Sequence, residues 1–310
     1  MEDALLKIMV EADGGLMKSP IYAIMGITGQ VGGAIARALL RDGKSLRGIV
    51  RDKSRAAHWT EQGVELVSAE ATDAASLEAA FRDVDGVFAM LPPAFAPAPG
   101  FPDARAQIAA LHQALEAVRP NRVVTLSSIG AQQDHGLGLI TQLHMLEQEL
   151  GTLPVPNAFV RPGWFLENSL WDVAPARERG RIDAYLAPLD RPFPMVATED
   201  IGQLVAATLQ QEWSGLRYLE LEGPRRYSQI DAAQTFARLL GKPVTAVPVP
   251  REQWPATFEA QGTAPDRTSA RIEMLDGFNS GWIEFERGRT EHSRGSRTME
   301  EVFRDLLQRA

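Results

Sequence analysis

Cysteine is absent from this chain of 310 residues, and its absence excludes several kinds of chemistry. Without a thiol the chain can form no disulfide, no cysteine nucleophile and no cysteine-ligated metal centre. The five histidines are scattered without the spacing of metal ligands, so we predict no metal site. A G-x-S-x-G sequence is also missing, which argues against serine-hydrolase chemistry.

Long apolar runs and an excess of positive charge are missing as well. No run reaches the roughly 18 apolar residues of a membrane-spanning helix, so we expect no membrane association. The net charge of −8 argues against a nucleic-acid partner, because binding a phosphate backbone requires a basic surface. Residues 1–19 are a poor signal peptide. We expect a flexible tail there rather than an amphipathic helix, with Met17 starting the folded chain, and a cytoplasmic location.

From residue 20 onward, short apolar runs alternate with helical segments. The runs IYAIM, SLRGIV, GVFAML and RVVTL predict strands, whereas Val31–Asp42 and Asp103–Val118 have helical spacing. Alternating strands and helices of these lengths predict an α/β fold built on a doubly wound parallel sheet, with helices covering both faces.

The alternation breaks after Asn168, which predicts a second, smaller domain. We assign residues 20–168, rejoined by about 196–222, to a dinucleotide-binding Rossmann domain. Residues 169–195 and 223–310 are assigned to a smaller α+β substrate or cap domain. Within it, Ser228 and Gly241 are expected to cap the two ends of an amphipathic helix.

A glycine-rich stretch, GITGQVGG, joins the first predicted strand to the first long helix. A helix N-terminus binds phosphate through free backbone N–H groups, and glycines let the backbone turn sharply and approach the pyrophosphate. A purely structural glycine turn is the alternative. The residues of this stretch that we predict to contact a dinucleotide are Gly26, Thr28, Gly29, Gln30, Val31 and Gly32.

The end of the second predicted strand indicates which dinucleotide is bound. An NAD site usually has an acid here, but this chain has Arg51, with Lys53 close by. A guanidinium matches a 2′-phosphate, so we predict NADP(H) in preference to NAD(H). Asp52 is the acid that could turn inward instead, and the two cations could be no more than solvated loop charges.

The next two strand ends are expected to line the ligand crevice of an open parallel sheet. After the third strand, Glu70 could accept a hydrogen bond from the adenine amino group, whereas Asp73 is more simply read as a helix cap. The residues that we predict to contact the cofactor at these two strand ends are Glu70, Ala71, Met90, Leu91 and Pro92.

The segments GITGQVG, IVRDKSRA, ATDAASL, GVFAMLPP, VVTLSSIGA and FVRPGWFLEN, followed by ATEDIG, occur in that order. Together they resemble the NmrA-like group of atypical short-chain dehydrogenases/reductases over about residues 20–310. The resemblance implies a Rossmann domain, binding of NADP(H) or NAD(H), and a small substrate domain. It also implies one of two activities, because the group includes quinone and azo reductases as well as regulators that bind the dinucleotide without known turnover.

The wider superfamily uses a Tyr-x-x-x-Lys pair and a serine, and this chain lacks the pair. None of its four tyrosines has a lysine four residues on, and no lysine stands between Lys53 and Lys242. Ser127 and Ser128 remain, and we predict His144 as the replacement group that binds the ribose or donates a proton. The alternative for His144 is a helix-surface pairing with Glu147 or Gln148.

The end of the sixth strand, Arg161–Phe165, is expected beside the nicotinamide, with contacts from Pro162, Gly163, Trp164 and Phe165. The two aromatic rings could stack on a flat substrate or only pack in the core. The sequence therefore predicts hydride transfer from NADPH to a small flat acceptor, a quinone. The rival hypothesis is a non-catalytic NADP(H) sensor that binds a protein partner; a homodimer is compatible with either.

Overall fold

A computed structural model describes residues 20–286 and 288–309, so the predicted tail and Met17 lie outside the described residues. The strands are β1 (Ile21–Met25), β2 (Ser45–Val50), β3 (Glu65–Ser68), β4 (Gly86–Ala89), β5 (Arg122–Leu126), β6 (Asn157–Pro162), β7 (Trp164–Phe165), β8 (Arg181–Ala184), β9 (Met195–Val196), β10 (Leu216–Glu222), β11 (Thr245–Pro248) and β12 (Glu291–Arg294).

Helices alternate with the strands of the first two-thirds of the chain and predominate in the last third. They are α1 (Gln30–Arg41), α2 (Ala57–Glu61), α3 (Ala74–Phe81), α4 (Pro102–Val118), α5 (Thr141–Leu150), α6 (Leu170–Arg179), α7 (Thr198–Leu209), α8 (Gln229–Leu240), α9 (Trp254–Ala260), α10 (Ser269–Ser280) and α11 (Met299–Arg309).

One parallel sheet of eight strands organises the fold, in the order β12-β10-β6-β5-β4-β1-β2-β3. β1 pairs with β2 on one side and with β4 on the other, so the direction of winding reverses between β1 and β4. This order confirms the predicted doubly wound Rossmann-like sheet. In such a sheet the ligand crevice opens at the carboxyl ends of the strands where the winding reverses.

Apolar side chains on both faces of the sheet explain why its strands are nearly continuous apolar runs. Ile24 packs with α1 and α7 on one face, whereas its neighbours in β1, Ala23 and Met25, pack with α3 and α4 on the other. Adjacent residues of a strand point to opposite faces, so a strand covered on both sides must be apolar throughout.

A third apolar cluster joins α6, α8, α10 and α11 to the segment between β5 and α5. Two small parallel pairs, β11 with β8 and β7 with β9, lie outside the main sheet. The cap predictions for α8 are confirmed: Ser228 and Asp231 form a capping box, and Gly241 ends the helix at φ +65°. Most of these features lie in the region that we predict to be the smaller domain, but β7 and the segment between β5 and α5 belong to residues 20–168.

The structure differs from the sequence analysis at one strand. Residues 223–310 were assigned wholly to the smaller domain, but β12 pairs in parallel with β10 at the edge of the main sheet. The sequence of β12, EHSR, is polar because an edge strand has one side open, and three of its four residues are exposed. The division into two domains otherwise stays a prediction.

Candidate active site

The glycine turn after β1 has the geometry that close approach of a phosphate requires. Gly26 has φ +64°, a left-handed conformation that glycine adopts without strain, and its carbonyl accepts from the Gly29 amide at 2.8 Å. A Cβ placed on Gly32 would lie 2.5 Å from the Gly26 carbonyl carbon and closer still to its oxygen. The turn and the first turn of α1 therefore pack backbone against backbone.

The N-terminus of α1 has no side-chain cap and no acidic residue in its first turn. α3 and α8, by contrast, are capped by the side chains of Asp73 and Ser228, the former as predicted. An uncapped N-terminus leaves N–H donors and the positive end of the helix dipole for an anion. Gly29 and the neighbouring Thr28 and Gln30 are exposed, whereas Val31 and Gly32 are buried. The residues present thus fit a dinucleotide pyrophosphate.

Three cations follow β2 without ion-pair partners. Arg51, Lys53 and Arg55 are all exposed, and within the described part of the chain none has a carboxylate within 4.0 Å. Asp52 instead accepts hydrogen bonds from the amide and hydroxyl of Ser54, at 2.9 and 2.7 Å, and these bonds lower the pKa of Asp52. Asp52 therefore caps its own turn, and the strand end presents uncompensated positive charge. Arg55 is a third cation at this strand end, beside the two that the sequence predicts for the 2′-phosphate.

The ends of β3 and β4 lie on either side of the β1–β2 pair. Glu70 is exposed and Ala71 is half-buried after β3. After β4, Met90 closes over the glycine turn, since a Cβ on Gly26 would lie 2.8 Å from the Met90 sulfur. Leu91 is buried and Pro92 is exposed. The structure thus places these predicted residues on the side of the sheet where the carboxyl ends of its strands lie.

Ser127, at the end of β5, belongs to a buried network of charges. Its hydroxyl donates to Glu147 of α5, whose two carboxylate oxygens receive Nε and Nη2 of Arg161 from β6 at 2.8 and 2.6 Å. Arg161 Nη1 donates to Glu286 at 2.9 Å, and its guanidinium lies 4.4 Å from the ring centre of Tyr218. Ser127, Glu147 and Arg161 are each only 3% exposed to solvent.

This network corrects two details of the sequence analysis. Arg161 was expected beside the nicotinamide, but a charge this deeply buried needs paired carboxylates, which hold it among β5, β6 and α5. Glu147 was the alternative partner for His144, but it is already bound by Arg161 and Ser127. The hydroxyl proton of Ser127 therefore faces the interior of the protein.

His144, on α5, and Ser128, just after β5, are constrained by different hydrogen bonds. His144 Nδ1 lies 2.9 Å from the Ala131 carbonyl oxygen, and because that oxygen can only accept, Nδ1 must carry a proton. In the neutral ring Nε2 is then an acceptor, suited to a ribose hydroxyl. Ser128 is half-buried, and its hydroxyl donates to the Ile129 carbonyl at 3.1 Å.

The segment after β6 packs rather than standing free. Pro162 and Gly163 are buried, and a Cβ on Gly163 would meet the Pro194 carbonyl carbon at 2.9 Å. Trp164 is half-buried and meets Phe278 of α10 edge-on, with ring centres 5.3 Å apart. Phe165 is half-buried on the side of α1 and α7. Both aromatic residues are anchored in the core yet retain partly exposed rings.

Residues 20–286 and 288–309 contain neither a candidate membrane span nor a candidate metal cluster. None of the helices described is long and apolar enough to cross a membrane. No group of three or more histidine, aspartate or glutamate side chains in the same residues is placed to hold a metal ion.

Two reductases are among the relatives similar to this chain in sequence. The chain is 24% identical over 251 residues to an NAD(P)H azoreductase of Xenophilus azovorans, covering 81% of this chain and 85% of the relative. It is 29% identical over 222 residues to a (4-alkanoyl-5-oxo-2,5-dihydrofuran-3-yl)methyl phosphate reductase of Streptomyces griseus, covering 71% of this chain and 74% of that one.

Solved structures show the same fold. A triphenylmethane reductase of Citrobacter sp. superimposes with a TM-score of 0.77 at 19% identity, over 93% of this chain and 99% of that one. An NADPH-dependent quinone oxidoreductase of Escherichia coli, in complex with NADPH, gives 0.76 at 21% identity, over 92% and 99%. The model of the NmrA-like family matches residues 17–276, and the chain therefore belongs to that family.

Proposed function

We propose that this protein is an NADPH-dependent reductase that transfers a hydride to a small flat acceptor, a quinone. The observation that carries the proposal is the uncapped N-terminus of α1 behind the glycine turn, with unpaired cations at the neighbouring strand end. The relatives named above are reductases, and two of them are named for NAD(P)H or NADPH, which supports the same chemistry.

The chain's own residues would divide the work by their positions. The amides of the first turn of α1 would bind the pyrophosphate, and Arg51, with Lys53 and Arg55, would bind the 2′-phosphate. When bound, NADPH supplies the hydride. His144 Nε2 would accept from the nicotinamide ribose, and Trp164 and Phe165 would form the wall beside the acceptor.

The missing Tyr-x-x-x-Lys pair is compatible with a quinone acceptor. A ketone needs an acid close to its oxygen, because the alkoxide that hydride transfer creates is strongly basic. A reduced quinone is a far weaker base, so water can supply its proton. The same absence is what favours the rival sensor hypothesis, and turnover separates the two.

We expect the rate of NADPH oxidation, measured by absorbance with a panel of quinones, to exceed the rate without protein.

The variant His144→Asn tests the role of the imidazole, because an asparagine amide can still donate to the Ala131 carbonyl while the Nε2 acceptor is lost. Losing one hydrogen bond to a ribose hydroxyl should weaken NADPH binding roughly tenfold. Tight NADPH binding with no turnover on any quinone would instead favour the sensor.

Arg51→Ala should weaken NADPH binding by at least about tenfold and leave NADH binding within about twofold, because only NADPH carries the 2′-phosphate. Dissociation constants from tryptophan fluorescence test this directly. Arg41→Ala is the matched control. Arg41 is also an exposed arginine, but it lies at the C-terminus of α1, near the amino ends of the strands and away from the candidate site. Equal losses for the two nucleotides would contradict the 2′-phosphate role.

A further inference from the structure

One half-buried guanidinium of the predicted smaller domain has no acidic partner. Arg271, in the first turn of α10, donates from Nη1 to the Gln261 side chain at 3.0 Å, and no carboxylate of the described residues lies within 4.0 Å of it. Arg161, by comparison, has two carboxylates. Burial lowers the pKa of Arg271, as expected for a cation whose charge is not compensated by a neighbouring acid.

Aromatic rings surround this cation. The guanidinium carbon of Arg271 lies 3.9 Å from the ring centre of Phe258 and 5.9 Å from that of Tyr185. The Tyr185 ring in turn lies 5.6 Å from Phe258 and 6.1 Å from Trp254. A cation over aromatic faces keeps N–H donors free at its edge, so this cluster suits a flat ligand that carries a negative charge.

Two acids act electrostatically on Tyr185, and neither pairs with Arg271. Asp183 and Asp172 both act on Tyr185, but Asp183 is paired with Arg181 at 2.5 Å. Burial raises the pKa of Asp172 to about 7, so its carboxyl group is partly neutral near pH 7. Neither forms an ion pair with Arg271, whose positive charge therefore remains available.

α10 links this cluster to the candidate active site. Phe278, which meets Trp164 edge-on, is seven residues after Arg271 and therefore on the same face of the helix, about 10 Å further along its axis. The backbone of α10 at Ala270 and Met274 also packs directly on Gly138, just before the helix that carries His144. A ligand that contacts both ends must therefore span about 10 Å.

We infer that Arg271 binds an anionic substituent of the acceptor, and that the preferred acceptors are flat aromatic molecules carrying a sulfonate or carboxylate remote from the reacting ring. This inference rests on the proposed reductase function, because it concerns the substrate of the same site. It adds a preference for negatively charged acceptors, which the residues at the carboxyl ends of the strands do not by themselves supply.

Kinetics on a matched pair of quinones test the charge preference. With 1,4-naphthoquinone-6-sulfonate, whose sulfonate is on the ring remote from the quinone carbonyls, Arg271→Met should raise KM by at least about tenfold, the loss of one charge-assisted contact. With uncharged 6-methyl-1,4-naphthoquinone, KM should stay within about twofold. Arg271→Lys should recover part of the loss, because it restores the charge without the planar donor geometry.

A binding measurement that needs no turnover accompanies the kinetics. Equilibrium dialysis of anthraquinone-2-sulfonate against the protein saturated with NADP⁺ should give a dissociation constant at least about tenfold weaker for Arg271→Met. Arg267→Met is the matched control, since Arg267 is an exposed arginine one turn earlier in the chain, and it should leave the constant unchanged.

Equal losses for the charged and uncharged quinones would overturn the inference, because they would make Arg271 a brace for the aromatic cluster. Unchanged sulfonate binding in Arg271→Met would overturn it as well. If the unaltered protein reduces no quinone, the proposed function fails on its own, and the dialysis result still decides whether Arg271 binds the sulfonate.

Discussion

Replacing Gly32 by alanine should weaken NADPH binding by at least about 100-fold, the equivalent of losing two charge-assisted hydrogen bonds. The added methyl group would lie 2.5 Å from the carbonyl carbon of Gly26 and 2.9 Å from the amide nitrogen of Ile27. Both are backbone atoms, so no side-chain rotation relieves the clash. The turn must open, and its amides then no longer converge on one phosphate.

The adjacent glycine provides the control for this prediction. A Cβ on Gly33 would come no nearer than 3.3 Å to any neighbour, so only a small shift is needed. Gly33→Ala should leave NADPH binding within about threefold, while a better helix former within α1 adds up to about 1 kcal/mol of stability. Tryptophan fluorescence titration of both variants is the measurement. Equal affinities would show that the turn does not hold the pyrophosphate.

Breaking the buried pair of Glu147 and Arg161 should have the largest effect on stability. Glu147→Ala leaves the guanidinium, which is 3% exposed, facing the space of its lost partner with only Glu286 remaining. An uncompensated buried charge costs about 3–5 kcal/mol of the free energy of unfolding. Urea denaturation followed by far-UV circular dichroism measures this loss.

Two further variants show whether burial is the cause. The exposed pair of Arg304 and Glu300 has a similar contact of 3.0 Å, and Glu300→Ala should leave the free energy of unfolding nearly unchanged, since water screens such pairs. The double variant Glu147→Leu with Arg161→Met should recover part of the loss, because it removes both charges together. A single variant as stable as the unaltered protein would contradict this account.

Much of the fold could be predicted because it depends on local patterns. β1 and β4 are continuous apolar runs, and α8 is capped by Ser228 and Gly241, whose capping roles follow from their own chemistry. β12 was missed for the complementary reason. Its sequence EHSR has no strand pattern, and only its pairing with β10, 69 or more residues earlier in the chain, makes it a strand.

The candidate site divides in the same way. The residues of the glycine turn are neighbours in the sequence, and Arg51 and Lys53 are close to each other in it. The sequence alone therefore predicts the proximity within each group. The partner of Glu147 could not, because Arg161 lies 14 residues away on β6 whereas Glu147 lies on α5, and the ion pair forms only when these two elements come together. The surroundings of Arg271 could not be predicted either, because its aromatic neighbours come from distant parts of the chain, Tyr185 just after β8 and Phe258 on α9.

The sequence by itself determined the doubly wound sheet, the glycine turn after β1 and the absence of the Tyr-x-x-x-Lys pair. These depend on the order of apolar runs, on residues a few positions apart, or on which residue types are present at all. Only the tertiary structure decided which side chains are free to act: His144 Nδ1 and the Ser127 hydroxyl are bound internally, whereas Arg51 and Arg271 have no acidic partner among the described residues. The reason is that burial and pairing of charges depend on residues far apart in the chain, which meet only when the fold closes.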